Sequence, residues 1–168
     1  MNWSIGDNSG ANYLEPSKSP LKNISFLLTL GALLLGMTKH AGLLRASIAD
    51  AGNEHRLGSH EAPPAILSVY LGDYLTEILD HIEGTKSFTD KELNYITHGI
   101  QNMPRVVKDY SDRNRTSPIA FTGNKFELRA LGSNANGSDA AVALNLICTY
   151  GYRDLIARLT KSKKKDVK

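Results

Sequence analysis

Apolar residues along the chain fall into blocks whose spacing predicts helices. The most apolar block, Ile24 to Met37, lies in a helix predicted from about Leu21 through Ala49, and its leucines leave little polar surface in the first half. Such a helix is expected to be enclosed on most sides by other elements. Because the block is shorter than the roughly 20 residues that a membrane span requires, we predict a buried core helix and no membrane association.

Three further helices are predicted. Apolar residues recur at spacings of three and four from Ala65 to Glu83, and Gly84 can end that helix. The capping-box spacing that begins at Thr89 predicts a shorter helix to about Asn102. A last helix is predicted from a cap at Ser138-Asp139 to about Leu159.

One segment alternates between polar and apolar residues. Lys125-Phe126-Glu127-Leu128-Arg129 lies in a strand predicted from Phe121 to Leu131, and the alternation puts Lys, Glu and Arg on one face. Cross-strand ion pairs on a solvated face would explain this pattern, and so would a site for a cation and anionic oxygens together. The predicted fold class is helix-rich α+β. Its few strands suit a fragment whose remaining strands lie outside this sequence.

Charge and composition narrow the function classes. The 168 residues suit one domain, predicted over residues 1–160, with a disordered basic tail at 161–168. The tail holds five lysines and one aspartate, so the net charge of +3 leaves the remaining body near −1. A nucleic-acid-binding face is therefore not predicted.

The single cysteine, Cys148, excludes an intrachain disulfide and is compatible with a reducing compartment. It lies in an apolar run with no adjacent base, which predicts a buried small side chain and not a nucleophile. The five histidines show no metal-ligand spacing and are expected to be flap, surface or core residues.

Two charged, turn-rich stretches are the candidates for chemistry. The first, Asn53 to Pro64, reads NEHRLGSHEAPP and joins two apolar segments, and Pro63-Pro64 restricts its end. The second runs from Ser111 to Arg129 and contains NRTSP and NKFELR. Loops of this kind either present catalytic groups from a rigid scaffold or are merely solvated, and the residues alone do not decide between these readings.

Together these stretches resemble glutamine synthetase, and most closely its type III branch. Arg56 with Glu61-Ala62-Pro63 is similar to the family's flap motif, and the NRTSP and NKFELR segments resemble a second family motif. Asn2-Trp3-Ser4 and Leu44 to Ala49 resemble further family segments in the same order. The resemblance covers roughly residues 1 to 160 but only a middle portion of the family's length.

The resemblance implies a partial catalytic domain, a fragment of the family's creatine-kinase-like fold of a sheet with helices. It also implies ATP-dependent ligation of glutamate and ammonia to glutamine through γ-glutamyl phosphate. ATP and Mg²⁺ or Mn²⁺ would be the cofactors. The intact enzyme would be a cytoplasmic, homo-oligomeric ring.

By the same resemblance, three residues of the charged stretches have roles at the reacting groups. Glu61 would be the flap carboxylate that closes the glutamate site and takes the ammonium proton. Arg56 would hold the α-carboxylate of glutamate, and Arg115 would contact the transferring phosphoryl group. Carboxylates and guanidiniums suit these tasks, since a guanidinium binds carboxylate and phosphate oxygens in pairs.

The remaining implied site residues lie on the predicted strand from Phe121 to Leu131 and at the start of the chain. Glu127 would be a metal ligand, and Arg129 would face the γ-carboxylate of glutamate and its phosphate; their spacing of two lets both reach one site. Lys125 would contact the nucleotide phosphates, and Asn2 and Ser4 would line the nucleotide pocket.

The resemblance also implies missing parts. The family's metal-binding histidine would precede Met1, and its other metal carboxylates lie earlier still. One carboxylate does not hold a divalent cation against water, so we expect little or no activity from the chain alone. Two hypotheses follow. The chain is part of an ATP-dependent ligase, either a partial gene product or a piece completed by another polypeptide, or it is a non-catalytic remnant that packs against full-length subunits.

Overall fold

The computed structural model describes residues 1–53, 67–87, 95–96, 106–107, 117–132 and 135–163. Its regular elements form a helix-rich α+β arrangement, as predicted. In chain order they are β1 (Asn2–Trp3), α1 (Ile24–Ile48), β2 (Val69–Tyr70), α2 (Asp73–Ile82), β3 (Tyr95–Ile96), β4 (Val106–Val107), β5 (Ile119–Phe121), β6 (Phe126–Leu128) and α3 (Ser138–Lys163), with short 3₁₀ helices at Pro20–Lys22 and Ala51–Asn53.

The sheet has the strand order β1-β6-β5-β2. Strand β6 pairs antiparallel with both β1 and β5, while β2 pairs parallel with β5. Strands β3 and β4 form a separate antiparallel pair. Because β6 has a hydrogen-bonded neighbour on each side, it is an interior strand, whereas β1 and β2 lie at the edges.

Helix α1 begins at Ile24, three residues after the predicted start at Leu21, and directly follows Asn23, a residue type that favours helix starts. The side chain of Asn23 accepts a hydrogen bond from the backbone N–H of Phe26, at 3.1 Å, which satisfies one of the free donors of the first turn. The ring of Phe26 is fully buried and lies 6.0 Å from that of Phe121 in β5, which in turn lies 5.3 Å from Phe126 in β6. This aromatic row packs the first half of α1 onto the sheet.

Helices α1 and α3 approach each other closely because each has a glycine at the contact. A Cβ atom at Gly36 of α1 would collide with the carbonyl oxygen of Ile147, and one at Gly151 of α3 would collide with that of Ala32. The buried Thr29 hydroxyl also hydrogen-bonds to the hydroxyl of Tyr152, at 2.5 Å. The backbones therefore touch where any larger residue would hold them apart.

The prediction that α1 is enclosed on most sides is only partly correct. Leu30 and Leu33 are buried, but Ile24, Leu28 and Leu43 are 66%, 37% and 40% exposed. At 25 residues the helix is also long and apolar enough to cross a membrane by length and composition, although a packed core helix meets the same criteria. The observed helix lies within the predicted range from Leu21 through Ala49, and it is longer than the apolar block Ile24 to Met37 that was compared with a membrane span. Its contact with α3 along one face is that of a core helix.

The helix predicted from Ala65 to Glu83 begins later than expected. Val69 and Tyr70 form β2, and the helix starts only at Asp73. Gly72 lies between them with a φ of 80°, so the helix does not extend back through this position, and Gly72 is instead the N-cap of α2. The β-branched and aromatic side chains of β2 fit a strand, and its backbone bonds come from β5.

The predicted helix from Thr89 to Asn102 is wrong at Tyr95–Ile96, which form β3; the rest of that segment lies outside the described residues. The predicted strand from Phe121 to Leu131 is instead a hairpin of β5 and β6. Its turn includes Gly123 with a φ of 91°, and the N–H of Thr122 bonds to the carbonyl of Lys125 at 2.8 Å. A local pattern predicted the strand residues but not the reversal of direction.

The last helix begins as predicted and is longer than predicted. Helix α3 starts at Ser138 and continues to Lys163, so the first three residues of the proposed basic tail are helical. Arg158 and Asp154 form the expected i,i+4 ion pair at 3.2 Å. Cys148 is 1% exposed in α3, which confirms the prediction of a buried side chain.

The close helix contact generates a stability prediction. We expect Gly151→Ala to lower the free energy of unfolding by about 2 kcal/mol, because its methyl group would force α1 and α3 apart. Gly31→Ala in α1 is the matched control. It meets nothing within 4 Å and should raise stability by about 0.5–1 kcal/mol through helix propensity. Urea unfolding followed by circular dichroism measures both, and equal effects of the two substitutions would contradict a tight crossing.

Candidate functional site

The alternation predicted at β6 is present in the structure. Phe126 and Leu128 are 1% exposed and point into the core, while Glu127 between them is partly exposed on the opposite face. In β1, Trp3 is buried and Asn2 is exposed, and Asn2 lies directly opposite Glu127 in the antiparallel register. Opposed residues in such a ladder point to the same side, so Asn2 and Glu127 share one face of the sheet.

The other predicted residues of these strands lie beside that pair. Lys125 precedes β6 and its Nζ donates to the side-chain oxygen of Asn124 at 3.2 Å. Ser4 follows Trp3 and is exposed, like Asn2. Of the eight residues proposed from the sequence, the register and contacts place Asn2, Lys125, Glu127 and Arg129 near one another, and Ser4 directly follows β1.

Glu127 and Arg129 form an ion pair. The Nη2 atom of Arg129 lies 2.8 Å from Oε2 of Glu127, and the two side chains are 22% and 39% exposed. The hydrogen bond from Arg129 lowers the pKa of Glu127 below its ordinary value, with smaller contributions in the same direction from the Arg129 charge, the amino terminus and Lys125. Glu127 is therefore an anion held among cations at neutral pH.

The guanidinium of Arg129 has a second group of donors besides the one that bonds to Glu127. Its Nη1 atom is buried and has no hydrogen-bond partner among the described residues. A buried donor without a partner is costly, and a guanidinium presents its N–H groups in a fixed fork that matches carboxylate or phosphate oxygens. The free edge of Arg129 is thus suited to an oxyanion.

Asn53, the first residue of the first charged stretch, is held in place by two hydrogen bonds. Its Nδ2 donates to the carbonyl oxygens of Ile48, at the end of α1, and of Ala130, just after β6, at 2.8 and 2.7 Å. Asn53 is 1% exposed, and its Oδ1 is the other buried polar atom that lacks a partner within the described parts of the chain. Sequence reasoning gave Asn53 no role, because a local pattern does not reveal its partner 77 residues away.

The described part of the second charged stretch begins at residue 117, close to the end of β6. The N–H of Arg129 donates to the carbonyl oxygen of Pro118 at 2.8 Å, so Pro118 lies beside the end of β6. Arg56, Glu61 and Arg115 themselves lie outside the described residues. The structure does establish that Asn53, from the first charged stretch, is bonded to Ala130, which directly follows Arg129 at the end of the second stretch.

The donor set at this face does not by itself suit a divalent metal. Within the described ranges, no group of three or more His, Cys, Asp or Glu side chains could hold a metal ion. Glu127 is one carboxylate, and its neighbours Arg129 and Lys125 are cations that oppose a second positive charge. Oxygen ligands from several residues are needed to hold Mg²⁺ or Ca²⁺ in competition with water.

Cys148 offers no alternative chemistry. Burial raises the pKa of its thiol to about 11, so the thiolate needed for nucleophilic attack is scarce at neutral pH.

The ion pair generates a titration prediction. We expect Arg129→Gln to raise the pKa of Glu127 toward its ordinary value, since the main cause of its depression is removed. Because the pKa of Glu127 is lowered on folding, the ion pair stabilises the protein at pH values above the unfolded-state pKa, and this contribution is lost as the pH falls through the folded-state pKa. Since both side chains are partly exposed, the contribution should be below about 1 kcal/mol. Carbon-detected NMR of the Glu127 carboxyl measures the shift.

Arg158→Gln is the control for that titration. It removes the same charge from an exposed ion pair with Asp154 on α3 and should leave the titration of Glu127 unchanged. An unchanged Glu127 titration in Arg129→Gln would show that the ion pair does not form in solution.

Comparison with known proteins gives one consistent result. No protein-family model matches the chain. It is 45% identical over 152 residues to a type-3 glutamine synthetase of Dictyostelium discoideum, which covers 90% of this chain and 21% of that protein. It is also 49% identical over 163 residues to a glutamine synthetase of Bacteroides fragilis (95% and 22%) and 47% identical over 126 residues to one of Butyrivibrio fibrisolvens (75% and 18%). The chain is therefore homologous to glutamine synthetases, the type-3 enzyme among them, over a segment about a fifth of their length.

Proposed function

We propose that this chain is part of a glutamine synthetase catalytic domain of the type III branch, with the creatine-kinase-like fold, and that it supplies one side of a site for ATP-dependent ligation of glutamate and ammonia. The single observation that carries this proposal is the convergence at the end of β6. The N–H of Arg129 donates to the carbonyl oxygen of Pro118, and the side chain of Asn53 donates to the carbonyl oxygen of Ala130. One residue from each charged stretch, Asn53 and Pro118, thus lies next to the end of β6.

Arg129 is proposed to bind the γ-carboxylate of glutamate and its phosphorylated form. The buried, unpartnered Nη1 atom supports this role, because an incoming oxyanion would satisfy it without displacing a protein partner. Nη2 remains bonded to Glu127, which fixes the orientation of the guanidinium. A preorganised cation of this kind stabilises charge that develops on a transferring phosphoryl group.

Arg56, Glu61 and Arg115 are proposed to complete the substrate side. Arg56 would hold the α-carboxylate, Arg115 the phosphoryl group, and Glu61 would close over the site and take the proton from ammonium. Their support is the match of the motifs to the family and the attachment of the bordering residues, Asn53 and Pro118, beside Arg129.

The nucleotide side is proposed to involve Lys125, Asn2 and Ser4. Lys125 is a partly exposed cation, and its contact to Asn124 leaves the ammonium two further donors for phosphate oxygens. Asn2 lies opposite Glu127 in the register, so the proposed nucleotide and metal-ligand residues share a face.

Glu127 is proposed as one metal ligand of a site that this chain does not complete. In the assembled enzyme Mg²⁺ or Mn²⁺ would supply charge neutralisation at the phosphates, with further ligands from outside this segment. The single carboxylate on the described face supports the proposal that the chain alone has little or no synthetase activity. By the same homology the intact enzyme is proposed to be a cytoplasmic homo-oligomeric ring.

A second candidate function, a non-catalytic remnant that packs against full-length subunits, is favoured by a different observation. Helix α3 exposes Val142 and Ile156 by 57% and 59%, and α1 exposes Ile24 by 66%. Apolar side chains on the outer faces of two helices suit a protein partner. Both candidates thus expect association and differ in whether association produces activity.

Complementation separates the two candidates. The full chain is assayed for ATP- and metal-dependent γ-glutamyl transfer, alone and after refolding with the rest of the Bacteroides fragilis relative supplied as separate polypeptides outside the matched segment. The ligase proposal expects no activity alone and activity on mixing. Association without activity would support the remnant, and neither association nor activity would contradict both.

Point variants make the assay specific. Arg129→Ala should lower complemented activity by about a hundredfold or more, the scale of losing one preorganised charge contact in a transition state. Lys161→Ala, a charge change on the exposed end of α3, should leave the activity unchanged. Equal activity in both variants would remove Arg129 from the proposed site.

A further inference from the structure

A groove of about 330 Å³ lies between α1 and α3, and none of its lining residues belongs to the candidate site described above. Gly36 of α1 and Gly151 of α3 line it, so the groove lies beside the point where the two helix backbones cross closely. The volume lies at the lower end of the range, about 300–1,000 Å³, that small-molecule sites occupy.

The charges on this groove are unbalanced. Asp154 is the one carboxylate that lines it, and two cations share a single oxygen of it: Lys39 at 2.5 Å and Arg158 at 3.2 Å. Arg153, which also lines the groove, has no carboxylate partner among the described residues. A helix-to-helix ion pair therefore accounts for Lys39 and Asp154 but leaves Arg153 unexplained.

Planar groups form one wall of the same groove. The rings of His40 and Tyr150 lie with their centroids 4.8 Å apart and their planes tilted by 37°. The guanidinium carbon of Arg153 lies 5.8 Å from the Tyr150 ring centroid, within the range of a cation–π contact. This contact holds Arg153 at the groove while leaving its N–H edges available for an acceptor.

His40 reaches the groove through a local break in α1. Its φ of −128° and ψ of 21° are not helical, although the residues on both sides are. The tilted ring of Tyr150 packs against His40 at this break. The aromatic wall is thus a built feature of the helix pair.

We propose that this groove binds a small ligand in which an oxyanion is attached to a planar ring, of the aryl phosphate or aryl carboxylate type. The oxyanion pairs with Arg153, and the ring lies along His40 and Tyr150. The proposal stands apart from the glutamine synthetase assignment, since it uses none of the residues proposed for ligation.

The test uses the full chain and phenyl phosphate as the probe, followed by ¹H–¹⁵N NMR at constant ionic strength. Inorganic phosphate and phenol are the two halves of the probe, and benzoate distinguishes a carboxylate source from a phosphate source. We expect saturable shifts at residues 36–40 and 150–154, with phenyl phosphate or benzoate binding about tenfold more tightly than inorganic phosphate or phenol.

Variants assign the binding to the named groups. Arg153→Ala should weaken binding of the probe about tenfold, the scale of losing one hydrogen bond to a charged group. Tyr150→Leu should remove the advantage of the aryl compounds over inorganic phosphate. Lys161→Ala, which removes one positive charge from the same helix beyond the groove, should bind the probe like the unmodified chain. All three side chains are exposed, so these changes leave the core intact.

Two results would overturn the proposal. One is the absence of saturable shifts at the groove with both phenyl phosphate and benzoate. The other is an equal weakening by Arg153→Ala and Lys161→Ala, which would reduce the effect to the general positive charge of α3. Neither result bears on the complementation assay, so the two proposals fail independently.

Discussion

The central constraint in this structure is the position of β6, a three-residue strand hydrogen-bonded on both sides. Its outer residues fill the core and its middle residue, Glu127, faces the candidate site. Two residues follow the strand. The N–H of Arg129 donates a hydrogen bond to the carbonyl oxygen of Pro118, and the carbonyl oxygen of Ala130 accepts one from the side chain of Asn53. Because the strand is fixed on both edges and at its end, every group attached to it is held relative to Glu127.

The second organising contact is the glycine-mediated crossing of α1 and α3. It allows the first half of α1 to pack on the sheet through Phe26 while its other face remains exposed. The same crossing leaves a groove flanked by Arg153 and Tyr150. Close backbone packing thus supports both the stability of the helix pair and a surface with its own chemistry.

Electrostatics connects the candidate site to the homology. Glu127 is an anion close to cations, and Arg129 has one buried donor that finds no partner among the described residues. A buried donor without a partner lowers the stability of a protein interior, but it is expected in a site that binds an anion. The relatives are about five times as long as the matched segment, which is consistent with a site whose remaining ligands come from elsewhere.

The sequence by itself determined what depends on neighbouring residues: the cap at Asn23, the alternation around Glu127, the burial of Cys148, and the motifs that led to glutamine synthetase. It misassigned Val69–Tyr70 and Tyr95–Ile96 as helical, because strands of two residues are stabilised by hydrogen bonds to partners distant in the chain and not by a local period. Only the tertiary structure decided the role of Asn53, whose partner Ala130 is brought to it by the packing of α1 against the sheet.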